Sequence, residues 1–170
     1  SGRVLFRSAI RGFETDDLAV LTSAQLTGFG TREIRALTSD GVSALAAGAL
    51  TGLSSLAMSG LVSDQVAAFT TDQVTGLRAA QIVGLSTLAI VGLETDDIGA
   101  MGSSQVASFT SSQIGAFSSD MVTAISTDAI RGLTTRQIAS LTTASVSGLS
   151  SDQLSVFSSA QVIGFETRDI

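Results

Sequence analysis

The sequence predicts an all-α fold: a solenoid, or superhelix, of very short capped helices, one per eight-residue repeat. Three observations predict it. An eight-residue period runs without insertion from Leu5 to Ile170, two columns within that period are always apolar, and most repeats carry a helix start signal.

The period is plainest from Phe69 onward, in FTTDQVTG, LRAAQIVG, LSTLAIVG and LETDDIGA. The consensus octad is Leu/Phe, Ser/Thr, Ser/Thr, variable, Gln, Ile/Val, variable, Gly/Ala. The first position reads Leu5, Phe13, Leu21, Phe29, Leu37 and onward to Phe165; the sixth reads Ile10, Leu18, Leu26, Ile34, Val42 and onward to Ile170. Residues 1–170 thus read as a single continuous array of about twenty octads. Residues 1–4, opening on Ser1-Gly2, read as an end or cloning remnant. The last octads resemble the middle ones, so the array is expected to be an excerpt of a longer one. A weaker forty-residue period joins Ala9-Ile10, Ala49-Leu50, Ala89-Ile90 and Ala129-Ile130. Duplication of a five-octad block is the favoured explanation, and a superhelical turn of five octads is the alternative.

One long helix does not suit the pattern. Eight residues at about 100° each overshoot two turns by roughly 80°, so an apolar stripe would wind around the rod. A β-solenoid, with a structural or ice-binding role, is the further alternative. It is disfavoured because spacings of five and three send consecutive apolar residues to opposite faces of a strand, and because Gln and Ala suit strands poorly.

Short helices fit. In Phe69-Thr70-Thr71-Asp72-Gln73-Val74, Thr70 is placed to cap and Gln73 to bond back to the cap's amide, as in a capping box. Phe69 and Val74 form a hydrophobic staple around that box. Asp16, Asp40, Asp64, Asp72, Asp96, Asp120, Asp128 and Asp152 fall in first turns, where the helix dipole favours an anion. Where the second position is Glu14, Gly30, Val62, Glu94, Gly102 or Glu166, the cap is expected to slip one residue to the following Ser or Thr. The small last position (Gly12, Gly28, Gly52, Gly60 and others) suits a left-handed C-cap or close approach of neighbouring backbones. A helix of one and a half turns is unstable alone, so its two apolar side chains must be buried against neighbouring octads. The third, fourth and seventh positions are then expected outside or at the rims.

Composition narrows function. The chain has no Cys or His, and its nine cationic residues are all Arg. The usual ligands for zinc, copper, haem and iron–sulfur clusters are missing, as are the commonest general base and the Schiff-base amine. No cofactor, metal or catalytic residue is expected. A net charge of −6 and scattered Arg, grouped only at Arg3, Arg7 and Arg11, argue against nucleic acid.

Several residues invite a sharper reading. The pairs Asp16-Asp17 and Asp96-Asp97 suggest calcium or acid–base chemistry, but lack an EF-hand or nonapeptide frame and read as helix N-terminal charge. Ser and Thr read as caps, not nucleophiles. Gly41 to Ser63 and Ile98 to Ser119 are uncharged and long enough to span a bilayer. The octad register runs straight through both, so no membrane insertion is expected. The Phe residues of the first position read as core; Phe6 is off register. Arg11, Arg35 and Arg131 share the seventh position on a solvated face, with Asp128 placed to pair with Arg131.

Octads of the type Leu-Thr-Thr-x-Gln-Ile-x-x resemble the repetitive regions of very large secreted or surface-anchored bacterial proteins of the adhesin and haemagglutinin-like kind. The resemblance covers nearly all of the chain. It implies a stalk, spacer or filament-forming role outside the cell or on its surface, without catalysis. The expected partner is the protein itself, through neighbouring repeats and end-to-end stacking. A binding solenoid presenting its outer surface to a protein or glycan is the alternative.

Overall fold

The computed structural model describes residues 13–165. Among them are nineteen α-helices of four to six residues, from Thr15–Ala19 to Ser159–Val162, followed by a 3-10 turn at Ile163–Phe165. No strand occurs among the described residues, which removes the β-solenoid alternative.

Each helix starts where its octad predicts. The residue before it is extended at the second octad position, and in twelve octads a Ser or Thr there accepts a hydrogen bond from the amide three residues on. Thr70 Oγ1 takes the Gln73 amide at 3.2 Å, and Gln73 Oε1 takes the Thr70 amide at 2.9 Å. The expected slip of the cap does not occur. Glu14, Gly30, Val62, Glu94 and Gly102 remain the cap residues. At Gly30, Val62 and Gly102 the fifth-position side chain still binds the cap's amide, through Glu33, Gln65 and Gln105. Half a capping box holds the register without the hydroxyl. Glu166 lies outside the described residues.

Left-handed C-caps are also absent: no described residue, glycine included, has a positive φ. An extended N-cap residue turns the chain into each helix, and at Leu45, Leu85, Met101, Phe109 and Ile125 the C-cap before it is extended too.

The superhelix follows from how these pieces stack. Each helix from Thr15–Ala19 to Thr135–Ile138 packs against the helix three octads on; Thr71–Thr75 touches Ala47–Leu50 on one side and Thr95–Ala100 on the other. Hydrogen bonds between turns join residues 25, 28 and 31 apart. One turn therefore takes between three and four octads. The five-octad turn considered from the forty-residue period is ruled out, because forty residues overshoot every inter-turn bond. The half-octad remainder staggers the stack, setting each helix over the junction between two helices below.

Both apolar columns line the axis in one continuous core, except that Leu154 and Val162 in the last described octads are 50 % and 46 % exposed. First-position Phe residues join it, with Phe109 and Phe117 packed edge to face at 5.2 Å. The fourth position is exposed in every described octad, and the third and seventh are exposed or half-buried. No described helix is long and apolar enough to cross a membrane, because both uncharged stretches are broken into octads.

The caps carry a direct prediction. Replacing Thr70, Thr110 and Thr134 with Ala removes three hydroxyl acceptors bonded at 3.2 to 3.3 Å. Each change is expected to cost about 1 kcal/mol; Thr70 should add independently, whereas Thr110 and Thr134 cap helices that pack on each other and should couple. Chemical denaturation of the single, double and triple variants checks it; a triple variant as stable as the parent contradicts the capped-helix assignment.

Candidate functional surface

The side chains with the most demanding geometry belong to the Gln column. Gln113 is buried and makes bonds in two directions. Its Oε1 accepts from the Thr110 amide at 2.8 Å, within its own helix. Its Nε2 donates to the carbonyls of Ile82 and Leu85, each at 2.7 Å, in the turn below. Gln65, Gln73, Gln81, Gln153 and Gln161 repeat the pattern. One amide thus satisfies an orphan donor at a helix N-terminus and orphan acceptors at the end of another helix. The stagger makes this possible, since the Gln stands over a junction. The sequence signalled the first half through the capping box. The second half was not read from it, because the number of octads per turn is not written in any single repeat.

The small last position has its own inter-turn role. A Cβ at Gly52, Gly92 or Gly148 would overlap the backbone carbonyl of Ser23, Ser63 or Ser119, each 29 residues earlier. Close backbone approach, the second of the two readings of these glycines, is the one realised.

The acidic pairs separate on folding. Asp16 and Asp17 are both exposed, and Asp17 Oδ2 accepts from the Glu14 amide at 3.2 Å. Asp96 is exposed, whereas Asp97 occupies the fifth, Gln-bearing position and is only 3 % exposed. Asp97 Oδ1 accepts from Thr71 Oγ1 at 2.8 Å in the turn below, and its Oδ2 has no hydrogen-bond partner. A carboxylate cannot donate, so it cannot serve the carbonyls 28 and 31 residues earlier, Phe69 and Val66, as a Gln would. We expect Asp97→Gln to restore that clasp and raise stability by about 1–2 kcal/mol, read as a higher denaturation midpoint. A lower midpoint would contradict the register assigned to this position.

Hydroxyls outside the caps also serve the backbone: Thr31 and Thr135 donate to the carbonyls of Leu56 and Ala160 one turn on. Arg35 and Arg131 are exposed at the seventh position. Arg131 is the C-cap of Thr127–Ile130, and the expected pairing with Asp128 is not made. Arg3, Phe6, Arg7 and Arg11 lie outside the described residues. Among the described residues no cluster of acidic side chains is arranged to hold a metal ion.

Two adjoining open grooves mark the outer surface. One, of about 620 Å³, is lined by Thr95, Asp96, Gly99, Asp120, Thr123 and Ala124. The other, of about 420 Å³, adds Glu94, Ser118 and Met121.

Comparison with known proteins returns one likeness. Residues 10–47 and 90–127, together less than half of the chain, each match the family model described as the ALTTAQ repeat. The two spans lie eighty residues apart, twice the forty-residue period. No curated protein and no solved structure matches the chain. The chain is a repeat protein, built of tandem octads as a helical solenoid.

Proposed function

We propose that this array is a structural segment, a stalk, spacer or filament-forming region of an extracellular or cell-surface protein, with no catalytic role. One observation carries the reading. The contacts that hold one turn to the next are of the same few kinds along the described residues: two apolar columns, a Gln amide bridging two helix ends in eight octads, and a glycine admitting the next backbone in seven. Such a stack has nearest-neighbour stability and extends by adding octads. That is what a spacer of adjustable length requires. The resemblance to large secreted repetitive proteins supports the placement outside the cell. An antibody raised against the purified chain tests it. Labelling of intact source cells is expected; labelling only after permeabilisation would overturn the surface assignment. Small-angle scattering tests the spacer role separately, since adding a forty-residue block should lengthen the particle at constant cross-section.

A binding solenoid is favoured by a single feature, the adjoining grooves in which Glu94, Asp96 and Asp120 meet the hydroxyls of Thr95, Ser118 and Thr123. Carboxylates and hydroxyls suit a polyhydroxylated ligand such as a glycan and repel an anionic one. Glycan-induced NMR shifts confined to Thr95 and Thr123 would select this reading.

A further inference from the structure

Asp97 departs from the octad pattern at a buried place. In the nearest Gln-bearing octads before and after it, Nε2 donates to the carbonyls 31 and 28 residues earlier. Gln81 reaches Leu50 and Leu53 at 2.6 and 3.1 Å, and Gln105 reaches Val74 and Leu77 at 3.0 Å each. The same register sets Val66 and Phe69, both buried, beneath Asp97. The helix Thr95–Ala100 packs on Thr71–Thr75, which opens just after that junction, and Thr71 Oγ1 donates to Asp97 Oδ1 at 2.8 Å. The carboxylate therefore reaches down between two turns. The same Glu-Thr-Asp-Asp segment behaves differently near the start of the array, where the exposed Asp17 turns its Oδ2 back to the Glu14 amide at 3.2 Å. At Asp97, Oδ2 is buried without a hydrogen-bond partner, and no described arginine supplies one.

We propose that Asp97, with the carbonyls of Val66 and Phe69, holds an alkali-metal cation, sodium or potassium, where a Gln elsewhere places its Nε2. Charge argues for it. A carboxylate and two carbonyls bring only oxygens to this junction, and a positive ion between them turns mutual repulsion into attraction. A monovalent ion makes the buried pair neutral, whereas a divalent one would leave an uncompensated charge in the interior. Calcium also takes roughly six to eight oxygens, usually from several carboxylates, and the described residues hold no group of three acidic side chains that could supply them. Ligand chemistry agrees, since carbonyl oxygens replace the hydration shell of an alkali cation. Asp is one methylene shorter than Gln, so an ion, not a further side-chain atom, spans the distance to the carbonyls. Bound there, it ties two turns together as the Gln amides do in the octads before and after.

Thermal denaturation at matched ionic strength tests the proposal. Replacing about 150 mM tetramethylammonium chloride with sodium or potassium chloride should raise the midpoint of the parent chain by about 3–6 °C, as for a site with a dissociation constant of about 10 mM. Tetramethylammonium screens surface charge equally but is too large to enter the junction. Asp97→Gln carries its own donor and should not respond, so its advantage over the parent narrows in the alkali salts. Asp96→Asn removes the exposed charge next in sequence and should keep the full response. In NMR titrations with sodium or potassium, carbonyl shifts should centre on Asp97, Val66 and Phe69. A parent midpoint equal in all three salts overturns the proposal. So does an Asp97→Gln variant that responds as strongly as the parent, or a parent that responds to calcium chloride alone.

Discussion

Gln73→Ala is expected to lower stability by about 3 kcal/mol, several times the effect of removing the Thr70 hydroxyl beside it. The side chain is 1 % exposed, and its Nε2 donates to Val42 at 2.9 Å and to Leu45 at 2.6 Å while its Oε1 holds the Thr70 amide. Truncation strands two carbonyls and one amide in the interior, and leaves a cavity where the amide stood. Gln73→Glu separates the two halves of the role. A capping box accepts Glu as readily as Gln. If capping were the whole function, the charge variant would be nearly neutral. The inter-turn bonds demand a donor, and a carboxylate would instead aim an oxygen at two carbonyls, so Gln73→Glu should cost more than Gln73→Ala. Urea denaturation of both variants decides the point, and a Glu variant as stable as the parent would refute the clasp.

How far the sequence disclosed this architecture depends on whether the information is local. The capped helices, the first-turn Asp residues and the two apolar columns each lie within one octad, and all were legible there. The stack is not local. Whether Gln73 meets residues 28 or 40 positions earlier depends on the curvature accumulated over several octads, which no octad states. The third buried column followed the same division. Gln73 was read as the capping-box partner of Thr70, and only the turn beneath it makes it core. Gly52 carried both readings equally, since a left-handed cap and a close backbone approach each require a missing Cβ. Asp97 is the reverse case. Read as surface charge at a helix start, it is buried because it occupies a Gln position in the middle of the stack.

Gly52→Ala and Gly48→Ala should move stability in opposite directions although they lie in one octad. At Gly52 an added Cβ would overlap the carbonyl oxygen of Ser23 and lie 2.7 Å from its carbon. Both atoms are backbone of the helix Ser23–Leu26, so no side chain can rotate away. The turns must part, and in parting they stretch bonds nearby, including those of Gln81 to the carbonyls of Leu50 and Leu53 at 2.6 and 3.1 Å. A loss of about 3 kcal/mol or more follows. Gly48 sits inside the helix Ala47–Leu50 with nothing within 4 Å of a modest Cβ, and Ala there should gain about 0.5–1 kcal/mol from helix propensity alone. Hydrogen exchange locates the damage as well as its size. In the Gly52 variant, protection should fall in Ser23–Leu26, in the neighbouring turn. A cap defect would instead loosen only the end of Ala47–Leu50. Equal stability of the two variants, or exchange confined to residues 47–53, would mean that the glycine column does not set the spacing between turns.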